Sequence, residues 1–415
     1  MVVREAARSV SRMAKTYPVV TVAGPRHAGK TTLVKMLFSR HAYVNLEAAE
    51  TREFARSRPD EFVKQYVGHQ RGVVIDECAR APELFDCIRD AVRDDRRPGR
   101  FILATSKLPR EKYDVMTPIR KHRSTQILFP LNIRELRYAK IALSRDEYIV
   151  RGFMPRVYKE DTDDPGLIYL NYLTYFVNHD AKECVAPDER ETFWHLLRTL
   201  ARRVGQIINL DAMAMDIGVH TPTLLKWFAA LESNFIIFKL PPYHNFAGWR
   251  NTTIPKFYFT DTGMAAYLLN IRSPEQVFRD PAIGNLFENM VVADAMKCRY
   301  NALWSSIGLY YFRSQKSAGG RRPLWESYNC RNPNILEIDL IMDNGRRVVP
   351  VDIKSTHKYS SHYADSIKDF RKVATRAEPG YVAYGGKTRK LWPGEPAFIN
   401  FTELAAVMSE WKWRL

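Results

Sequence analysis

A chain of 415 residues with 46% hydrophobic and 12% aromatic residues carries enough apolar mass for two or three cored domains, which excludes a disordered or fibrous chain. The balance of 63 Lys and Arg against 46 Asp and Glu gives a formal charge of +17, which points to a polyanionic partner such as DNA, with a basic but non-binding surface as the alternative. Five cysteines without a C-x-x-C pair exclude a disulfide framework and a zinc ribbon and fit a reducing cytoplasm, while no stretch reaches the roughly eighteen apolar residues of a membrane span and residues 1–14 lack the apolar core of an export signal.

Residues 1–150 are expected to form an α/β nucleotide-binding domain. The β-branched run 19–23 reads as a strand, and Gly24-Pro25-Arg26-His27-Ala28-Gly29-Lys30-Thr31 follows it in the spacing G-x-x-x-x-G-K-[ST]. Thr32-Leu33-Val34-Lys35-Met36-Leu37-Phe38 then reads as a helix, so the loop has the strand-loop-helix setting that a chance Gly-Lys-Thr turn would lack. Gly24 and Gly29 let successive N–H groups turn toward phosphate oxygens, and the helix adds its positive end. Lys30 is expected at the β- and γ-phosphates of ATP, and the Thr31 hydroxyl at Mg²⁺.

Further apolar runs at 42–46, 72–75, 101–105 and 126–128 alternate with helical segments, which predicts a parallel sheet covered on both faces. The third run ends in Asp76-Glu77: Asp76 is expected to hold Mg²⁺ through its water shell and Glu77 to deprotonate the attacking water. The other reading is an acidic N-cap pair. Ser106, at the end of the fourth strand, either senses the γ-phosphate or caps a helix.

These motifs carry a resemblance. Gly24-Pro25-Arg26-x-x-Gly29-Lys30-Thr31-Thr32, Ile75-Asp76-Glu77 with Ala81-Pro82-Glu83-Leu84, Phe101-Ile102-Leu103, and Phe129-Pro130-Leu131 with Glu135-Leu136 are similar to prokaryotic AAA-type ATPases that carry a winged helix and a C-terminal nuclease-like domain. The chain departs from that pattern at Ala79, where relatives usually have Gln, and at Thr105-Ser106-Lys107, where they have Gly-Ser-Gln or Gly-Ser-Asn. The resemblance also implies an arginine finger. Arg123 stands where the family tends to place a Gly-Arg, although the Gly is His122 here; in so basic a run a solvated face or a DNA contact is an equal reading.

Residues 151–283 read as a helical domain entered through Gly152-Phe153-Met154-Pro155, with helices expected over 169–184 and 191–204. A short helix at 210–217, a turn at Gly218-Val219-His220, an N-cap at Thr221-Pro222 and a second helix form a helix-turn-helix pattern. That second helix sets Leu224, Phe228, Leu231 and Phe235 on one face and leaves Thr223, Lys226, Trp227 and Ala230 off it. Runs 235–240 and 256–259, with Tyr243-His244-Asn245 and Trp249-Arg250-Asn251 between them, would make a wing. The module either enters a DNA groove or packs as an assembly unit. Pro255-Lys256-Phe257-Tyr258-Phe259-Thr260-Asp261-Thr262-Gly263 resembles the family's Pro-Lys-x-Tyr-Phe-x-Asp-Thr-Gly signature; Asp261 is expected to cap a helix and Gly263 to permit a turn, with no catalytic role.

Residues 284–415 read as a second α/β unit. Glu288 opens a helix, 337–342 is a strand, Asn344-Gly345 a hairpin turn and 348–354 the returning strand. Asp352 and Lys354, two residues apart, share a strand face that Asp339 can join. This arrangement resembles the D…(D/E)-x-K core of the restriction-endonuclease-like fold, with Glu288 as the first-helix acid. It implies Mg²⁺ or Mn²⁺ at Glu288, Asp339 and Asp352, with Lys354 activating water; an ion-paired strand patch is the alternative. The stretch 313–331 reads as an insertion, and Lys358, Lys368, Arg371, Lys372, Arg376, Lys387, Arg389 and Lys390 make the tail basic.

The expected fold is α/β: a P-loop AAA-type parallel sheet, then a helical and winged-helix domain, then an α/β restriction-endonuclease-like domain. The expected function is an ATPase that handles DNA, oligomeric and without a membrane anchor. The competing reading is a nucleotide-gated scaffold with an inert nuclease-like domain.

Overall fold

A computed structural model of the chain describes residues 2–106, 119, 121, 123–159, 164–244, 252–302, 308–315, 335–374, 376–389 and 392–410. The first segment contains α1 (Ala6–Ala14), β1 (Val19–Ala23), α2 (Lys30–Leu37), β2 (Ala42–Asn45), α3 (Ala49–Ser57), α4 (Pro59–Val67), β3 (Val73–Asp76), α5 (Leu84–Asp94), β4 (Phe101–Thr105) and β5 (Arg123–Ile127). The five strands pair in parallel in the order β2-β3-β4-β1-β5. Period-two alternation sends Val19, Val73, Ile75, Phe101 and Leu103 toward Phe62, Leu84, Phe85 and Ile88 on one face. Val20, Val22, Val74 and Ile102 meet Ala6, Val10, Leu33 and Val34 on the other. β5 starts at Arg123, ahead of the apolar run that marks it in the sequence, because its polar first residues pair with β1 from Val19 onward. β4 lies between β1 and β3, so the phosphate loop and the acidic pair are separated by one strand.

The middle segment holds α6 (Ile133–Tyr138), α7 (Arg145–Arg151), α8 (Pro165–Tyr175), α9 (Arg190–Arg202), α10 (Leu210–Ile217), α11 (Thr221–Ser233), β6 (Ile237–Leu240), β7 (Lys256–Phe259), α12 (Thr262–Leu268) and α13 (Pro274–Arg279). The helix expected over 169–184 is shorter: α8 passes into a π-helical turn, Phe176–Asp180, and ends. α10 and α11 form the helix-turn-helix, followed by the antiparallel β6–β7 pair. His220 rather than Thr221 is the N-cap of α11. Trp227 and Ala230 are buried, against the one-faced expectation. Trp227 donates to the Cys184 carbonyl at 3.1 Å and meets Phe193 edge-on, while Phe228 meets Phe257 on the far side. α11 is thus clasped from two sides, and Pro222, Leu225 and Lys226 are what it exposes. Residues 245–251 of the expected wing lie outside the described residues.

Asp261 caps α12 as expected, accepting from Gly263 N–H at 2.9 Å. Gly263, however, is inside the helix; a Cβ there would stand 2.3 Å from the Tyr169 ring, so its smallness serves packing rather than a turn.

The last segment holds α14 (Ile283–Asn301), β8 (Leu309–Gln315), β9 (Ile335–Asp343), β10 (Val348–Lys354), α15 (Asp365–Val373), β11 (Tyr381–Tyr384), β12 (Ala397–Asn400) and α16 (Leu404–Glu410). Its sheet runs β12-β11-β10-β9-β8, antiparallel through β8–β9–β10 and parallel through β10–β11–β12. Gly345 turns the β9–β10 hairpin at φ +81°. Residues 316–331 of the expected insertion, Cys330 and Lys390 lie outside the described residues.

α14 is buried along most of its length and ties the segments together. Asp294 accepts from Ile133 N–H at 2.8 Å, Lys297 donates to the Leu131 carbonyl at 3.2 Å and Gln126 to the Tyr300 carbonyl at 2.7 Å. One apolar cluster consequently runs from Ala23 through the middle helices to Met408. Among the described residues no helix is long and apolar enough to cross a membrane, and Cys78, Cys87, Cys184 and Cys298 are free thiols.

Candidate functional site

The phosphate loop leaves β1 at the carboxyl edge of the first sheet. Gly24 is required by close approach, since a Cβ would stand 2.0 Å from the Leu128 carbonyl oxygen. Gly29, at φ +91°, takes the left-handed conformation that turns the chain into α2. Pro25 and Ala28 are buried in the loop wall, His27 is exposed at its tip with φ +62°, and Thr31 and Thr32 are exposed in the first turn of α2. Arg4, from the N-terminal helix region, braces the loop from beneath by donating to the carbonyls of Ala28 and Phe129 at 2.5 and 2.6 Å.

The two halves of the site meet across the interposed strand. Lys30 Nζ donates to Ser106 Oγ at 3.1 Å and to the Gly24 and Pro25 carbonyls at 3.0 and 2.9 Å. Ser106 Oγ in turn donates to Glu77 Oε1 at 2.6 Å. Ser106 closes β4, which is why it can touch both the β1 loop and the β3 acid. Asp76 Oδ2 accepts from Thr31 Oγ1 at 2.6 Å and from Tyr43 OH at 2.9 Å, and Asp76 Oδ1 from Glu77 N–H at 3.0 Å. The converging oxygens of Thr31 and Asp76 are hard donors on one side of the loop and fit Mg²⁺. Tyr43 was not singled out in the sequence; its place in β2, beside Val74 of β3, is the only local signal.

Burial pulls the Lys30 ammonium down to about 8, against the opposing pull of Glu77 and Asp76. A bound phosphate favours the charged amine, so the complex should titrate higher than the free protein. Affinity for Mg·ATP is then expected to be flat below that value and to fall by up to about tenfold per pH unit above it. Calorimetry in two buffers of different ionisation enthalpy should register uptake approaching one proton per nucleotide at about pH 9; no uptake would contradict this role for Lys30.

The backbone of Arg123 does not lie at this edge, although its charge acts on Cys78, next to Glu77. Arg123 opens β5 opposite Val19, at the amino end of the sheet, whereas the loop leaves β1 after Ala23. Arg26 is the loop's own arginine, and it pairs with Asp180 of the π-helical turn, Nε to Oδ2 at 3.0 Å.

A second cluster forms at the last sheet. The β8–β9 register shifts between Tyr310↔Ile341 and Phe312↔Ile338, so Asp339 and Leu340 together oppose Tyr311 in a β-bulge. The bulge re-aims Asp339: the β9–β10 ladder stops at Val351↔Leu340, and the Asp339 carboxylate accepts the next free amide, Ile353 N–H, at 2.8 Å. Asp352 Oδ1 accepts from Lys354 Nζ at 2.6 Å, while Asp352 Oδ2 is buried without a donor. Burial and the neighbouring Asp339 charge raise Asp352 well above the carboxylate range, and Lys354 only partly offsets them. An orphaned carboxylate oxygen beside a second carboxylate fits a divalent cation.

Glu288, from α14, is held differently. Its Oε1 accepts from Tyr258 OH at 2.6 Å and Lys256 Nζ at 3.0 Å, and the same ammonium reaches Glu337 at 2.7 Å. Burial lifts Glu288 to about 7, against Lys256. Among the described residues no three His, Cys, Asp or Glu side chains form a group that could hold a metal ion; Glu288 is hydrogen-bonded to Lys256, while it remains within electrostatic reach of Asp339 and Lys354. Lys256 and Tyr258 come from β7 of the middle segment. Two polar residues at strand spacing in an apolar run were the visible signal; their destination was not.

The tail's positive charge is partly spent locally: Lys368 pairs with Glu395 and Lys372 with Asp369 at 2.7 and 2.6 Å, and Arg389 lies over the Tyr359 ring.

Residues 16–137 match the family model of an AAA domain; residues 143–275 and 324–404 match two domains of unknown function, DUF8612 and DUF4143. An uncharacterized protein of Mycobacterium tuberculosis is 25% identical over 320 residues, 76% of this chain and 69% of its own length, and a Mycobacterium bovis protein matches equally. Among solved structures, a Walker-type ATPase of Pyrococcus abyssi overlaps 64% of this chain and 94% of its own at TM-score 0.41 and 14% identity. DnaA from Aquifex aeolicus bound to AMPPCP overlaps 55% and 86% at TM-score 0.29 and 14% identity.

Proposed function

We propose, taking the AAA-type P-loop domain of residues 16–137 as premise, that the chain hydrolyses ATP at the β1–α2 loop and couples nucleotide state to DNA handling. The observation that carries the first half is the hydrogen-bonded line Lys30–Ser106–Glu77 across three strand tips. Lys30 and the loop amides hold the β- and γ-phosphates, Glu77 orients a water for in-line attack and takes its proton, and Ser106 fixes Glu77 relative to the γ-phosphate. Thr31 and Asp76 would hold Mg²⁺, which neutralises charge on the phosphate oxygens.

For the second half the support is the +17 charge, the helix-turn-helix with its β6–β7 pair, and the Asp339–Asp352–Lys354 group. The reading includes a cytoplasmic homo-oligomer in which Arg123 serves a neighbouring subunit or DNA. A scaffold with an inert nuclease-like domain is the second reading, and the capture of Glu288 by Lys256 and Tyr258 favours it.

One incubation separates them. With plasmid or branched DNA and Mg²⁺ or Mn²⁺, the nuclease reading expects the wild type to cut at least about 100-fold faster than Asp352→Ala, since removing a metal-binding carboxylate removes several kcal/mol of transition-state stabilisation. Equal rates would retire cleavage and leave the scaffold.

A further inference from the structure

The nucleotide site faces carboxylates that its chemistry does not use, the exposed Glu47 and the shielded Asp180. Asp76 and Glu77 have tasks there; Asp180, carried in by the π-helical turn that ends α8, has none. Yet Asp180 acts electrostatically on Lys30 as well as on Arg26, and Arg26, a residue of the loop itself, also feels Glu77, so the pair lies within electrostatic reach of the lysine and the acid of the nucleotide site. Arg26 is gripped from several directions. Its Nε and Nη2 donate to the two Asp180 oxygens at 3.0 and 3.5 Å, Nη1 stands 3.6 Å from Glu47, and the guanidinium lies 4.5 Å from the Tyr175 ring centre. Both partners of the main pair are mostly shielded, at 18% and 16% exposure. π-helical turns are rare and concentrate at functional sites.

We propose that Asp180 and the γ-phosphate of ATP compete for the Arg26 guanidinium. The fork of N–H groups that fits a carboxylate fits a phosphate equally well. Without the γ-phosphate, Arg26 stays on Asp180 and ties the loop to the middle segment. With it, the fork turns to the phosphate and releases the turn Phe176–Asp180, whose Phe176 and Val177 are rooted in the shared core. Arg26 is then an arginine supplied by the loop itself, and Asp180 the middle segment's reader of nucleotide state. The inference rests on the ATP-binding reading above.

The test is an affinity cycle with Mg·ATP and Mg·ADP on wild type, Asp180→Asn, Arg26→Lys and the double variant. Asp180→Asn removes the competitor and should tighten ATP by about fivefold to tenfold while changing ADP by less than about twofold. Arg26→Lys keeps the charge but loses the fork, so it should lower the ATP-over-ADP preference, and Asp180→Asn should add less than about twofold in that background. Equal shifts for ATP and ADP, or a fully additive double variant, would make the pair an ordinary inter-segment bridge and overturn the proposal. Failure of the wild type to bind either nucleotide would overturn the ATP-binding reading itself.

Discussion

Glu77→Gln is expected to bind Mg·ATP with nearly wild-type affinity and to turn it over about 100-fold more slowly or worse, the usual loss when a positioned general base is removed. Gln keeps the shape of Glu77 and can still accept from Ser106, so neither the loop nor Asp76 should move; it cannot take a proton from water. The backbone supports the assignment. Glu77 sits at φ +53°, a conformation uncommon for a non-glycine residue, and that turn off the end of β3 swings its carboxylate to Ser106 instead of continuing the strand. Phosphate release and binding of a fluorescent nucleotide, measured on the same preparation, check the split. Unchanged turnover would remove Glu77 from the chemistry.

Gly152→Ala is expected to cost about 3–5 kcal/mol through left-handed strain plus lost buried hydrogen bonds. Gly152 is at φ +67°, and a Cβ would stand 2.0 Å from Tyr169 OH and 2.2 Å from Asp261 Oδ1. Asp261 is the hub of that corner. It accepts from Phe153 N–H at 3.0 Å, Gly263 N–H at 2.9 Å and Tyr169 OH at 3.0 Å, wholly buried. Pushing it away leaves a buried carboxylate and several donors unsatisfied. Gly218→Ala is the control: φ is +81° but nothing lies within 4 Å, so only backbone strain of about 1–2 kcal/mol applies. Urea midpoints of the two variants should differ clearly; equal midpoints would contradict the packing account.

The fold was legible where local chemistry decides it. β1 and β4 occupy the bounds read from their apolar runs, the Asn344-Gly345 turn forms, and Asp261 caps its helix, because each depends on residues close in sequence. What was not legible depends on partners far away. β5 begins among Arg123, Ser124 and Thr125 because β1 offers its edge, not because those residues favour a strand. Trp227 is buried because α11 is clasped on two sides, which a single-helix pattern cannot foresee. The insertion of β4 between β1 and β3 is a matter of topology, and it alone explains why Ser106 bridges Lys30 to Glu77.

The sites divide the same way. Lys30, Thr31, Asp76 and Glu77 announce themselves by spacing. Asp180 has no motif and meets Arg26 across 154 positions, and Lys256 with Tyr258 reads as strand filler until α14 delivers Glu288 to them. Four residues of a nuclease-like pattern in the right order therefore say less than the geometry does, since one of the acids is already held by a lysine from another segment.

The most direct measurement is calorimetric titration of Mg·ATP into the wild type and Lys30→Ala at neutral pH. Saturable heat at one site per chain is expected for the wild type and a loss of affinity of at least about tenfold for the variant, one charge-assisted contact to phosphate. No heat with the wild type, or equal affinity in both proteins, would contradict this.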